Sequence, residues 1–221
     1  MDFSPLWISF KVAAAATVIT FVLGIAAARW VTSMKRGRGL ADGVLSLTMV
    51  LPPTVVGFFL LLIFGGNGIL GKFLEAAGLA VVFTWQGAVI AAAAVSFPIM
   101  YRTARGAMEQ VDGNLISAAR TLGMSERKIF FHITFPLARP GIAAAAVLSF
   151  ARAVGEFGAT MMLAGNIPGK TQTMSTAIYT AMQSGDRSRA WIWVAVVMTM
   201  SLCVMLLMNI WNDKQPGRKR P

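Results

Sequence analysis

Stretches of some twenty residues with almost no charge recur along this chain, and they decide its solvent. A helix rises 1.5 Å per residue, so roughly twenty apolar residues cross the ~30 Å hydrocarbon core of a bilayer. Runs of that length read as spanning helices, so the expected class is an all-α, polytopic membrane protein. Composition agrees, with 56% hydrophobic and 13% charged residues, against roughly 25% charged in soluble domains. A length of 221 residues is that of one domain.

Five spans are expected, at about 7–31, 44–64, 86–101, 138–158 and 191–211, followed by a basic tail over 212–221. The first competes with a signal peptide, because Ala26-Ala27-Ala28 looks like a cleavage site. A signal peptide carries its positive charge before the apolar region, whereas here the dense cluster follows it, which favours an uncleaved span. Pro52 and Pro53 lie inside the second span, where proline leaves carbonyls that protein or water must satisfy. That places Leu51 to Gly57 against the protein interior or a pathway, or at a simple kink. Gly65 to Trp85 reads as an outside loop, with a re-entrant or sixth span from Gly68 as the alternative. Cys203 sits alone in an apolar run and is expected to be a buried, inert thiol.

The net charge of +11 is distributed in a way that excludes a nucleic-acid surface. Fourteen basic residues fall in three clusters that abut the ends of apolar runs. These are Arg29, Lys35, Arg36 and Arg38; Arg102, Arg105, Arg120, Arg127, Lys128 and Arg139; and Lys214, Arg218, Lys219 and Arg220. Only Lys11, Lys72, Lys170, Arg187 and Arg189 fall in segments assigned to the other side. The positive-inside rule then puts the N-terminus outside and the C-terminus in the cytoplasm.

Between Arg102 and Pro136 lies a polar island expected to form helix, glycine turn and helix. Asn114 or Ser117 is the candidate first cap, Gly123 a left-handed stop, and Ser125 the second cap with Glu126 behind it. Ile129, Phe130 and Ile133 alternate with Arg127, Lys128 and His132, and Ala118-Ala119 would let a second protein surface approach closely. An amphipathic helix lying on anionic lipid is the competing reading. His132 is the only histidine and has no metal-ligand cluster around it. No G-x4-G-K-[ST] loop is present, and no catalytic constellation stands out. The chain is not expected to be an enzyme.

The spacing A-A-x3-G-x9-I-x-F-P, over Ala118, Ala119, Gly123, Ile133 and Pro136, resembles the coupling loop of ABC importer permeases. Ser117 and Phe135 stand where that family carries glutamate and leucine. "LPPTVVGFFLL" from Leu51, "SFPIMYRTAR" from Ser96, "SFARAVGEFGATMMLAGNIPGKTQT" from Ser149 and "AIYT" from Ala177 are together similar to the molybdate branch. Sulfate permeases share part of this pattern. The resemblance implies a type I ABC importer permease fold in the bacterial inner membrane, with 109–136 as the ATPase-coupling loop. It implies as partners a second copy of this chain, two ABC ATPase subunits and a periplasmic molybdate-binding protein. ATP and Mg would be bound by the ATPase, with no cofactor in this chain. A gated anion channel and a structural assembly factor are the readings from other classes.

Residue chemistry adds one pair. Arg152 and Glu156 are spaced i,i+4 in an apolar stretch, where charged groups either pair structurally or mark a pathway. Candidate pathway or gate residues are Pro52, Pro53, Ser96, Phe97, Arg152, Glu156 and Gly158.

Overall fold

The computed structural model describes residues 2–213, so the basic tail from Lys214 onward lies outside the described residues. Helix α1 spans Ser4–Ser33, α2 Arg38–Leu45, α3 Leu47–Val50, α4 Pro53–Phe64, α5 Ile69–Ala76 and α6 Trp85–Glu109. Helix α7 then spans Gly113–Thr121 and α8 Glu126–Ile129, before a π turn at Phe130–Thr134. Helix α9 covers Phe135–Val154, α10 Gly158–Leu163, α11 Met174–Gln183 and α12 Arg187–Asp213. Every element among the described residues is helical.

Four helical stretches are long and apolar enough to cross a membrane: Ser4–Ser33, Trp85–Glu109, Glu126–Val154 and Arg187–Leu206. Helices α1, α6 and α9 form the packed centre, and small residues bring them together. Ala13, Ala16, Ala28, Ala88, Ala92, Ala104 and Ala145 are all fully or almost fully buried. Without a hydrophobic driving force between helices in lipid, close van der Waals packing of this kind does the associating. Thr20 and Ser149 add a buried hydroxyl pair across α1 and α9, at 3.1 Å.

The expected second span, 44–64, is not one helix. It breaks at Leu51-Pro52, both extended, and restarts with Pro53 at the first position of α4. Proline fits a helix's first turn, where its missing N–H would be unpaired anyway. Of the stretch Leu51 to Gly57, Val56 and Gly57 are buried, whereas Pro52 and Thr54 are exposed. The fourth span also differs from expectation. It does not begin after Pro136 but is continuous from Glu126, and it ends at Val154 rather than at 158. Pro136 is accommodated because the π turn loosens the helix just before it, with the Phe135 N–H bonded to the Phe130 carbonyl.

Pro98 lies within α6, where it cannot bond the carbonyl of Ala94. The Thr48 hydroxyl does so instead, at 2.9 Å, anchoring α3 to α6. The segment expected as an outside loop, Gly65 to Trp85, contains α5, and the segment between the expected fourth and fifth spans contains α11. Cys203, expected to be buried, is exposed, because it lies on a face of α12 that no other helix covers.

Candidate coupling unit and helix-break site

At one end of the bundle, α7 and α8 form a compact unit. Asp112 caps α7, its carboxylate accepting from the Asn114 N–H at 2.8 Å. The cap is therefore neither Asn114 nor Ser117, because the chain turns two residues earlier than expected, with Gly113 as the first helical residue. Helix α7 stops at a left-handed Gly123, φ +77°. There the Gly123 N–H bonds the Arg120 carbonyl at 2.9 Å and the Met124 N–H bonds that of Ala119 at 3.0 Å. This is the Schellman arrangement, which satisfies the last carbonyls of the helix. Ser125 caps α8 through the Lys128 N–H.

Arg120 grips both oxygens of Glu126, at 2.7 and 3.2 Å, and so staples α7 to α8. Ala119, Ile129 and Phe130 are buried, Ile133 and Pro136 are half-buried, and Ser117 and Ala118 are exposed. Leu122 is 82% exposed and Leu115 49%, so this tip presents apolar side chains outward. Single exposed leucines are ordinary, but two beside the small Ala118 make a surface that another protein can cover closely. From the bundle, the Arg29 guanidinium of α1 lies 4.2 Å from the centre of the Phe130 ring and anchors the π turn.

The second region is where two helices break. Gly158, the first residue of α10, sits against the start of α4: an added Cβ would come 3.1 Å from Pro53 Cβ and 3.2 Å from the Thr54 N. One turn further on, a Cβ at Gly57 would lie 2.8 Å from Ala159 Cα. The two short helices thus cross backbone to backbone. In the break between α9 and α10, Glu156 is only 2% exposed. One of its oxygens accepts from the Ala159 N–H at 2.8 Å, capping α10, and the other pairs with Arg152 at 2.9 Å.

The structure therefore brings together Pro52, Pro53, Arg152, Glu156 and Gly158 around two adjacent helix breaks. For Ser96 and Phe97 it shows contacts within α6. The Ser96 hydroxyl is buried and turned onto its own helix, donating to the Ala92 carbonyl at 2.7 Å. Phe97 stacks on Tyr101 at 6.0 Å, in the separate core that contains Ala28 and Met100. No group of three or more metal-ligating residues occurs among the described residues.

One constellation was missed in the sequence. Arg105 of α6 pairs with Asp42 of α2 and with Glu109, the latter at 2.8 Å; Glu109 also pairs with Arg38. The Tyr101 hydroxyl donates to Asp42 at 2.9 Å. Burial of Asp42 works against its charge, but the Tyr101 hydrogen bond and Arg105 outweigh it and hold the carboxyl below its ordinary value. The spacing of Tyr101, Arg105 and Glu109 at four-residue intervals was the available signal; nothing local pointed to Asp42.

A bundle of proline-broken, closely crossing helices with a capped helix-Gly-helix unit at one end is the architecture of a polytopic membrane protein with a structured docking tip. The chain belongs to the family of binding-protein-dependent transport system inner membrane components, whose pattern matches residues 20–215. It is 41% identical, over 95% of its length and 93% of the relative's, to a molybdenum transport system permease protein of Escherichia coli K12. A molybdenum transport system permease protein of Haemophilus influenzae is 38% identical over 99% of this chain and 96% of its own. Among solved structures, the MetNI methionine ABC transporter in an inward-facing conformation matches with a TM-score of 0.75, at 15% identity, over 95% of this chain and 94% of that one. That likeness concerns the fold, which is the type I ABC importer permease fold. The chain is a multi-pass inner-membrane permease.

Proposed function

We propose that this chain is the permease subunit of an ATP-driven molybdate importer. The observation that carries the reading is near full-length identity of 38–41% to permeases named for molybdenum transport, and the α7–α8 unit supports it. The protein works as two copies, with two ABC ATPase subunits and a periplasmic molybdate-binding protein. ATP and Mg are held by the ATPase, and this chain holds no cofactor. The N-terminus lies outside and the tail in the cytoplasm, so the α7–α8 tip faces the ATPase.

The mechanism follows from stiffness. Glu126–Val154 is one continuous helical stretch, stapled to α7 by Arg120 and anchored to α1 through Phe130. Closure of the ATPase dimer moves α7 and α8 together, and that stretch carries the motion to the α9–α10 break. The α4–α10 crossing there is too tight to deform gradually, so it shifts as a unit and alternates access between the two sides.

The test is to purify the whole complex and measure ATP hydrolysis with the binding protein loaded with molybdate, tungstate or sulfate in turn. Stimulation by molybdate, with less by sulfate, is expected. Stimulation by sulfate alone would replace the substrate, and oxyanion flux without ATP would replace the mechanism.

A further inference from the structure

We propose that Arg152 is the anion-contacting group of the transport path and that Glu156 positions it. This rests on the permease reading above. Ala153 and Val154, beside Arg152, belong to a core cluster that includes Val12, Ala88 and Ala92. Arg152, in the last turn of α9, therefore lies at the level of that apolar cluster.

Glu156 is already engaged: both of its oxygens are committed inside the protein, one to the Ala159 N–H and one to Arg152. A buried carboxylate so engaged offers nothing to a dianion except repulsion. Arg152 is the reverse. Its guanidinium carries five N–H donors, one of its nitrogens lies 2.9 Å from Glu156, and its side chain is 31% exposed. Lys11, another base within an apolar run, is directed onto the Trp85 ring, 3.7 Å from its centre. The rigid fork of a guanidinium matches the oxygens of a tetrahedral oxyanion. With the Glu156 charge beside it, the site attracts a dianion without trapping it, as conduction requires.

The exposed side cannot be lipid without a heavy penalty, since charged groups at this depth face a bundle interior or water. Ala151 and Gly155 flank Arg152, and both are exposed, while Ala153, Val154 and Glu156 are buried.

The experiment uses the whole transporter in proteoliposomes, with ATP inside and loaded binding protein outside, in a Cys203→Ser background. Arg152→Gln should lower molybdate uptake at least tenfold while the complex still assembles with its ATPase subunits. Arg152→Lys should recover part of the uptake, and Glu156→Gln should raise the KM more than it lowers kcat. Arg152→Cys should react with an anionic, membrane-impermeant thiol reagent, and molybdate should slow that reaction. Unchanged uptake in Arg152→Gln, or labelling of Arg152→Cys by lipid-soluble reagents alone, overturns the inference. A wild type without ATP-dependent uptake overturns the permease reading instead.

Discussion

Replacing Gly57 with alanine tests the helix crossing directly. The added Cβ would lie 2.8 Å from both Ala159 Cα and Met162 Cβ, and 3.1 Å from the Ala159 carbonyl oxygen. Carbon atoms pack at roughly 3.5–4.0 Å, so α4 and α10 must part by about 0.7–1.2 Å. Two of those three atoms are backbone and cannot swing away. Overpacking of this kind costs about 1–3 kcal/mol. Against it stands the better helix propensity of alanine, about 1 kcal/mol. Gly43 of α2 supplies the control, because a Cβ there meets nothing within 4 Å. Gly43→Ala should therefore stabilise, and Gly57→Ala should not. Since the propensity gain is common to both, their difference isolates the crossing, at about 1–3 kcal/mol. The assay is unfolding of the purified protein in mixed micelles by increasing SDS fraction. Equal midpoints for the two variants would refute the tight crossing.

Gly123→Val should strain the left-handed turn by about 1–2 kcal/mol and uncouple ATP hydrolysis from uptake while membrane insertion persists. Normal uptake per ATP in that variant would remove α7–α8 from the coupling role. Thr48→Val should cost about 1–2 kcal/mol by orphaning the Ala94 carbonyl; in a Pro98→Ala background, where residue 98 regains an N–H, the cost should shrink, and an unchanged cost in SDS titration would contradict the assignment. The lowered Asp42 carboxyl predicts a pH effect. Its stabilisation is fully present above its ordinary value of 3.8 and is lost as pH falls through the lower folded value. Asp42→Asn should flatten the acid limb of the stability curve, and an identical limb would show that the Arg105 network contributes nothing there.

Local chemistry was the legible part of this chain. Gly123 and Ser125 declare themselves because a left-handed stop and a serine cap need only neighbours within four residues. The spanning helices declare themselves by length. Pro52-Pro53 flagged the first break, although as a feature inside one helix. The second break, at Gly155 to Phe157, carries no proline, and a glycine in a membrane helix is too common to signal an end. The carbonyl that Pro98 leaves free, that of Ala94, is taken by Thr48, 46 residues earlier in the sequence. Asp42 and Arg105, 63 residues apart, were equally out of reach of any local pattern.

The π turn at Phe130–Thr134 also sets a count. Each residue of an α-helix turns the chain by about 100°, and a π turn holds one residue more than an α turn would. Were the same residues to rewind as plain α-helix with none removed, everything beyond would rotate by about that angle. The exposed face of Ala151 and Gly155 would turn away from its present direction, and the Arg152–Glu156 pair would be carried round with it. The orientation of a charge near the outer reach of α9 is thus fixed by one surplus residue some twenty positions earlier.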